Sequence, residues 1–174
     1  MSSFGTWFHN LSNELHYPLD EPVLRTMKNP IGMLFGHVRD NHHTAHQGWD
    51  LFADQDPVLA LSGGRVMWQH PWGGSKDDKY GNCLLVDFKR RDVTYYAFYA
   101  HLEKILVKDH DKVERGQALG ISGTTGNGDS KSPHLHFEVR TTCHRVGKGL
   151  TGRLDPGQFF PELATLPVQQ HCFI

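Results

Sequence analysis

Cysteine is scarce in this sequence and follows no pairing pattern. The 174 residues include three cysteines, Cys83, Cys143 and Cys172, and none of them stands in a C-x-x-C motif. An odd number without that motif indicates neither a disulfide framework nor a thiolate zinc site. A bond between Cys143 and Cys172 in an oxidising compartment stays open, because sequence alone does not show pairing.

Long apolar runs and a surplus of one charge are also missing. Residues 1–22 lack a basic start, an apolar stretch and a cleavage signature, so they do not resemble a secretory signal. No later segment is apolar enough to suggest a membrane span. The formal net charge of -1 and the pI near 6.9 provide no attraction for nucleic acid or an anionic membrane. We therefore expect no membrane insertion and no nucleic-acid partner.

Histidine, by contrast, is abundant and clustered. The chain has 13 histidines, with groups at 42–46 and 134–136. Imidazole titrates near neutral pH and is the commonest metal ligand, so these groups indicate metal or acid–base chemistry. The usual zinc-peptidase helix motif H-E-x-x-H is absent, and the histidines at 9 and 16 do not fit it.

The pattern of turns and apolar residues predicts a mainly β fold. The chain contains 18 glycines and 9 prolines. Short segments of strand character lie between turns at 64–69, 83–88, 93–102, 117–122 and 132–140. We predict a single domain built on an antiparallel β-sheet, with long loops around a cleft and few short helices, one of them near 7–15. Its predicted bounds are 31–161, with a lead-in at 1–30 and a tail at 162–174.

Successive side chains of a β-strand point to opposite faces of the sheet, and this predicts the faces of two predicted strands. In the segment SPHLHFEVR (132–140), three apolar residues point one way and four polar residues the other: Leu135, Phe137 and Val139 against His134, His136, Glu138 and Arg140. An isolated H-x-H pair on such a face is more often solvated surface than a functional site. In the segment 93–102, the same period of two places His101 on the face of Tyr99.

A second histidine cluster supplies candidate metal ligands. In the segment HQGWD (46–50), Gly48 and the following apolar residues 51–53 favour a strand or bend over a helix. His46 and Asp50 can then direct one nitrogen and one oxygen to the same ion. With His136 they would form a set of two nitrogens and one oxygen, which suits catalytic zinc with a fourth position left to water.

A set of short motifs follows in order along the chain: 35–39 (FGHVR), 46–51 (HQGWDL), 64–66 (GRV), 80–82 (YGN), 99–102 (YAHL), 116–126, 133–140 (PHLHFEVR) and 154–156 (LDP). Over about residues 32–160, these motifs in this order resemble those of the LytM/lysostaphin-type zinc metalloendopeptidases, which cut cell-wall peptides. The segment 35–39 carries one residue more before its arginine than the family motif.

The resemblance implies a role for each of five residues. His46, Asp50 and His136 would bind Zn²⁺, whereas His101 and His134 would stay off the metal and serve catalysis. Zinc would lower the pKa of a bound water to about 7 and polarise the scissile carbonyl. The two histidines would move protons and stabilise the oxyanion, and the division of these duties between them stays open.

Two other interpretations stay open. A catalytically inactive relative would act as a binding or activating module, although such relatives lose ligands that are all present here. Another H-x-H zinc enzyme, with a site of the carbonic-anhydrase type, would take two ligands from 134–136 and a third histidine elsewhere. That site would leave Asp50 and the segment 99–102 unexplained.

The expected substrates are peptidoglycan stem peptides, cut at the D-alanyl–diaminopimelate bond of a direct cross-link. Specificity is expected from the loops at 39–45, 71–82 and 123–133. Without a recognisable signal at 1–22, we expect synthesis in the bacterial cytoplasm and action in the periplasm or cell wall after specialised secretion. This hypothesis of an antibacterial effector includes a cognate immunity protein as partner, and its alternative is a signal or domain missing from the sequence.

Overall fold

The computed structural model describes residues 15–25, 30–75, 78–128 and 130–163. Residues 7–14 of the predicted helix, and Cys172, lie outside the described residues. Within these ranges, no helix has the length and apolarity that crossing a membrane requires. The strands are β1 (Gly36–Arg39), β2 (Thr44–His46), β3 (Trp49–Phe52), β4 (Pro57–Leu59), β5 (Gly64–His70), β6 (Asn82–Arg90), β7 (Val93–Ile105), β8 (Lys112–Val113), β9 (Ala118–Ser122), β10 (His134–Arg140) and β11 (Arg153–Leu154), with 3-10 helices at Pro30–Met33 and Pro156–Gln158.

The strands form one large antiparallel sheet and a separate hairpin. β10 pairs with β7 along one edge, and β3 and β11 share its other edge. From β7 the sheet continues through β6 and β5 to β8, while β9 joins β7 to β4. β1 and β2 form a two-stranded sheet of their own. The prediction of a mainly β, antiparallel fold is therefore confirmed.

The central strand β10 is buried along its whole length. Leu135, Phe137 and Val139 are inaccessible to solvent and lie in the main apolar core, as alternation predicts. The opposite face of β10 is also covered, although all of its side chains are polar. The H-x-H pair is therefore not a solvated surface. Buried polar groups require partners, so the covered face indicates an organised site.

A β-bulge in β7 corrects one of the predicted faces. Alternation holds up to Ala100, which lies in a small apolar cluster with Phe98 beneath the histidines. His101 then has a φ of 62°, and the register with the neighbouring strands shifts at this point. As a result Leu102 lies in the main core with Tyr99, whereas the His101 ring packs against His134. The prediction that His101 shares the face of Tyr99 is wrong, because one left-handed residue reverses the alternation.

The described part of the lead-in packs against the domain. Leu19 and Leu24 are buried in the main core. The backbone N–H of Arg25 donates a hydrogen bond to the carbonyl oxygen of Asp50 at 2.9 Å. Residues 15–25 therefore support β3 from the side, and the predicted domain bounds stay predictions.

Candidate metal centre

The sequence between His46 and Asp50 makes a tight connection from β2 to β3. Gly48 lies so close to the backbone of β10 that a Cβ atom there would collide with the carbonyl oxygen of Phe137. Only glycine allows this approach. β3 then pairs with β10 so that Asp50 lies opposite His136. The i, i+4 spacing of the first two candidate ligands therefore arises from a strand, a turn and a strand.

Three candidate ligand atoms converge in this structure. Nε2 of His46 lies 3.0 Å from Oδ1 of Asp50, and Nδ1 of His136 lies 2.9 Å from the same oxygen. The two nitrogens are 3.3 Å apart. All three residues are at most 5% exposed. In the described part of the chain, they form the group of side chains that could hold a metal ion, and His134 is not a member of it.

Hydrogen bonds behind the two imidazoles fix where their protons lie. Nδ1 of His46 is 2.8 Å from the carbonyl oxygen of Leu34, and Nε2 of His136 is 3.1 Å from a carboxylate oxygen of Glu138. Because these oxygens accept, each of these nitrogens carries the ring proton. When both rings are neutral, the nitrogens that face Asp50 therefore present lone pairs. In that state three acceptors meet without a donor between them, which is unfavourable unless a cation lies among them.

This arrangement fits zinc. Ligand bonds of about 2.0–2.1 Å in a tetrahedral site place neighbouring ligand atoms about 3.3 Å apart, close to the separations observed here. Two neutral imidazoles and one carboxylate suit this ion, and an outer-shell acceptor behind each imidazole is the usual companion of such a ligand.

The pKa shifts of the three candidate ligands also indicate that the cluster favours a positive charge. Burial alone would raise the pKa of Asp50, but hydrogen bonds from His136 and His46 outweigh it and hold that pKa well below its usual range. Burial would lower the pKa of His136, yet the hydrogen bonds to Asp50 and Glu138 raise it to about 9. A positive charge beside Asp50 is therefore favoured, carried either by a second proton on this ring or by a metal ion that takes the place of that proton. Burial lowers the pKa of His46, and the hydrogen bond to Asp50 opposes this effect only in part.

Arg39 holds the second oxygen of the aspartate. Its Nη2 atom lies 2.7 Å from Oδ2 of Asp50, and its Nε atom donates to the carbonyl oxygen of Gly32 at 2.7 Å. Asp50 therefore offers one oxygen to the histidines and the other to a guanidinium. This contact gives a reason for the arginine of the segment 35–39.

His101 and His134 lie beside the ligand cluster without joining it. Their ring centroids are 4.8 Å apart, and Nε2 of His134 is 3.9 Å from Oδ1 of Asp50. Nδ1 of His101 lies 2.9 Å from the carbonyl oxygen of Thr125, and Nδ1 of His134 lies 3.3 Å from that of Ser132. Both rings therefore carry their proton on Nδ1 and leave the lone pair on Nε2.

Both of these rings are neutral at physiological pH. Burial is the main cause that lowers the pKa of His101 to about 3, with repulsion from His134 and His136 adding to it. Burial likewise lowers the pKa of His134 to about 4. A neutral imidazole with a free Nε2 can accept a proton from a bound reactant.

Two interlocked turns hold His101 in place. The turn at 79–82 and the turn at 124–127 touch at Gly81 and Gly126, where added Cβ atoms would collide with the opposite backbone. Both glycines have positive φ values, of 64° and 71°. The N–H of Asn127 donates to the carbonyl oxygen of Lys79 at 2.9 Å, and the N–H of His101 donates to that of Tyr80 at 2.9 Å.

The candidate ligands and both neighbouring histidines lie in a cleft of about 1040 Å³. Two of the loops predicted to shape specificity contribute several wall residues, from 39–45 and 71–82, whereas 123–133 contributes Asn127. Residues 146–149 form a further wall of the cleft that the sequence did not predict, because this segment has little periodicity. Arg25 from the lead-in also lines the cleft.

Comparison with known proteins identifies relatives of this chain. The model of peptidase family M23 matches residues 44–148, which is more than half of the chain. The peptidoglycan DD-endopeptidase ShyA of Vibrio cholerae is 54% identical over 97 residues, which are 54% of this chain and 20% of ShyA. Lysostaphin of Staphylococcus simulans is 36% identical over 94 residues, which are 53% of this chain and 17% of lysostaphin.

Solved structures agree with these sequence matches. The structure of lysostaphin aligns with 87% of this chain and 50% of its own length, at 25% identity and a TM-score of 0.54. A zinc-containing peptidase from Vibrio cholerae aligns with 80% of this chain and 37% of its own length, at 28% identity and a TM-score of 0.53. The chain spans 20–38% of the length of four curated relatives that it matches, ShyA among them. The family predicted from the motifs is confirmed: the chain belongs to peptidase family M23.

Proposed function

We propose that this chain is a zinc-dependent endopeptidase that hydrolyses peptide cross-links of bacterial peptidoglycan. The observation that carries the proposal is the convergence of Nε2 of His46, Oδ1 of Asp50 and Nδ1 of His136, with an oxygen acceptor behind each imidazole ring. Zinc bound there would polarise a carbonyl and lower the pKa of a water molecule. The same three residues are therefore the proposed ligands.

His101 and His134 are the proposed catalytic residues. Their Nε2 lone pairs can take a proton from the attacking water, because both rings are neutral and carry the other proton on Nδ1. Once protonated, the same rings can donate to the tetrahedral oxyanion and then to the leaving amine. The carbonyl oxygens of Thr125 and Ser132 keep both rings in this tautomer.

The proposed substrate is the D-alanyl–diaminopimelate bond of a direct cross-link. Identity to ShyA, named a DD-endopeptidase, is higher than identity to lysostaphin. Charge in the cleft supports the same choice, since Lys79 and Lys148 line it from two separate loops. Neither lysine has an ion-pair partner among the described residues. Diaminopimelate cross-links carry free carboxylates that such cations can attract, whereas a glycine bridge carries none.

Digestion of defined muropeptide dimers tests this function. The purified zinc-loaded protein is expected to convert dimers into monomers with intact tetrapeptide stems, separated and identified by mass. His136→Ala should abolish the conversion, and His144→Ala, which changes an exposed histidine that does not line the cleft, should leave it unchanged. Cleavage within the glycan, or of pentaglycine bridges alone, would contradict the proposal.

The antibacterial effector role and the immunity protein also stay proposals. They derive from the expectation of specialised secretion, and the experiment that tests them is biological. Directing the chain to the periplasm of a susceptible bacterium should cause lysis that depends on His136. A protein encoded beside it should prevent this lysis by binding the chain. Lysis without such protection would argue against an effector with an immunity partner.

A further inference from the structure

Glu138 is a fully buried carboxylate directly behind the candidate metal centre. It follows His136 by two residues on the same face of β10 and is 0% exposed. Its Oε1 atom accepts from Nε2 of His136 at 3.1 Å and from the hydroxyl of Tyr80 at 3.2 Å. Its Oε2 atom accepts from Nε of Arg140 and from Nε of Arg153, each at 2.7 Å.

All four groups around this carboxylate are donors. An ionised carboxylate only accepts, so it requires a proton on every facing atom, including Nε2 of His136. With a proton held there, a neutral His136 ring carries its lone pair on Nδ1, the atom that faces Asp50. The two arginines supply the positive charge that keeps Glu138 ionised in a buried place. The network therefore selects the ring form that a metal requires.

One of these arginines continues to the wall of the cleft. Nη1 of Arg153 donates to the carbonyl oxygens of Gly147 and Gly149, at 2.9 and 3.0 Å. Gly147, Lys148 and Gly149 line the cleft. A continuous chain of hydrogen bonds thus runs from the candidate ligand through one carboxylate to a substrate-facing loop.

We propose that Glu138 is a positioning residue that fixes His136 in its metal-binding tautomer and, through Arg153, holds the cleft wall at 147–149. This inference rests on the proposed zinc site. It assigns no contact between Glu138 and zinc or substrate. Outer-shell partners of this kind typically change metal affinity 10- to 100-fold when they are replaced.

Glu138→Gln tests whether Glu138 fixes the tautomer of His136, because the amide preserves the shape of the side chain and changes its hydrogen-bond pattern. If the amide NH₂ faces His136, it demands an acceptor at Nε2 and moves the ring proton to Nδ1. If the amide oxygen faces His136, the NH₂ confronts the N–H groups of Arg140 and Arg153. Neither orientation satisfies all four neighbours, so zinc affinity should fall 10- to 100-fold in competition with a chelator.

Tyr80→Phe is the matched control for this measurement. It removes one donor to the same carboxylate oxygen but leaves the tautomer of His136 unchanged, so zinc affinity should change less than about threefold. Equal zinc affinity in the wild type and Glu138→Gln would overturn the inference. Absence of zinc binding by the wild type would instead overturn the proposed function, so the two failures are distinguishable.

A measurement on the wild type covers the case in which Glu138→Gln does not fold. In the zinc-loaded, ¹⁵N-histidine-labelled protein, His136 should show a proton on Nε2 that exchanges slowly with water. His46 provides an internal reference, since its proton is expected on Nδ1. A His136 signal with the proton on Nδ1, or with rapid exchange at Nε2, would overturn the proposal.

Arg153→Lys tests whether Arg153 holds the cleft wall at 147–149. An ammonium group can still pair with Glu138, but it cannot also reach both glycine carbonyls. Zinc affinity should stay within about threefold of the wild type, while KM for muropeptide dimers rises about fivefold with kcat retained. A variant that loses zinc, or one with unchanged KM, would refute the connection to the wall.

Discussion

Nη2 of Arg39 lies 2.7 Å from Oδ2 of Asp50, the carboxylate oxygen that points away from the two histidines. The arginine side chain is 37% exposed, whereas that of Asp50 is 4% exposed. A cation at the rim therefore orients a buried anion. Because one oxygen is occupied by the guanidinium, Oδ1 alone remains for the cluster of His46 and His136.

Arg39→Ala should weaken zinc binding about tenfold, because a ligand that loses an outer-shell partner is less well oriented. Arg39→Lys should retain part of the affinity, since it keeps the charge but loses the fork that also reaches Gly32. Chelator competition measures both. Unchanged affinity in Arg39→Ala would show that Asp50 needs no support.

Replacing any one of His46, Asp50 and His136 by alanine should remove zinc and activity together, since three protein ligands are the usual minimum for an open site. Metal analysis of the purified variants gives the result. Folding, followed by circular dichroism, should survive because the main apolar core lies on the face of β10 opposite His136. Full zinc occupancy in Asp50→Ala would contradict the ligand set.

His101→Ala and His134→Ala should keep zinc but lose about 10²-fold or more in turnover, the usual scale for a positioned acid–base group. The measurement combines zinc content with the rate of dimer cleavage. If His134→Ala loses zinc while His136→Ala retains it, the two histidines of the pair have been assigned the wrong way round.

The left-handed backbone of His101 predicts an unusual order of stabilities. With a φ of 62°, alanine at this position is strained and glycine is not, so His101→Gly should be more stable to urea than His101→Ala by about 1 kcal/mol. Lys104, an exposed position of the same strand, provides the control. At this position the order should be the reverse: Lys104→Ala should be more stable than Lys104→Gly by about 0.5–1 kcal/mol.

Reversing the cleft charge should weaken recognition of carboxylate-bearing peptides. Lys79→Glu and Lys148→Glu should each raise KM for muropeptide dimers by about two- to fivefold, the range for exposed charge pairs. The effect should shrink as salt concentration increases. Lys89→Glu, which changes an exposed lysine outside the cleft, should have no effect. Equal KM values in all three variants would exclude a charge contribution from the cleft.

Much of the fold and of the ligand cluster could be predicted from the sequence. The turn-separated strands and the apolar face of β10 follow from local alternation, so the mainly β prediction is confirmed. The approach of His46, Asp50 and His136 follows from ordered motifs, because these residue types at these spacings resemble one family. Their roles as ligands stay predictions.

Other features depend on contacts that no local pattern encodes. Strict alternation gives the wrong face for His101, because its own left-handed backbone reverses the alternation and no local sequence pattern marks this position. The role proposed for Glu138 depends on Arg153 and on the loop at 147–149, which are distant in sequence or aperiodic. Burial of the polar face of β10 likewise follows from tertiary packing rather than from composition.

The interlocked turns at 79–82 and 124–127 have a consequence for peptide capture. Ordering a flexible backbone costs about 1–2 kcal/mol per residue at room temperature. Gly81 and Gly126 bring the two turns together when the domain folds, so this wall loses its conformational freedom before a substrate arrives. The entropy lost on association then comes mainly from the peptide, and this side of the cleft acts as a preorganised template.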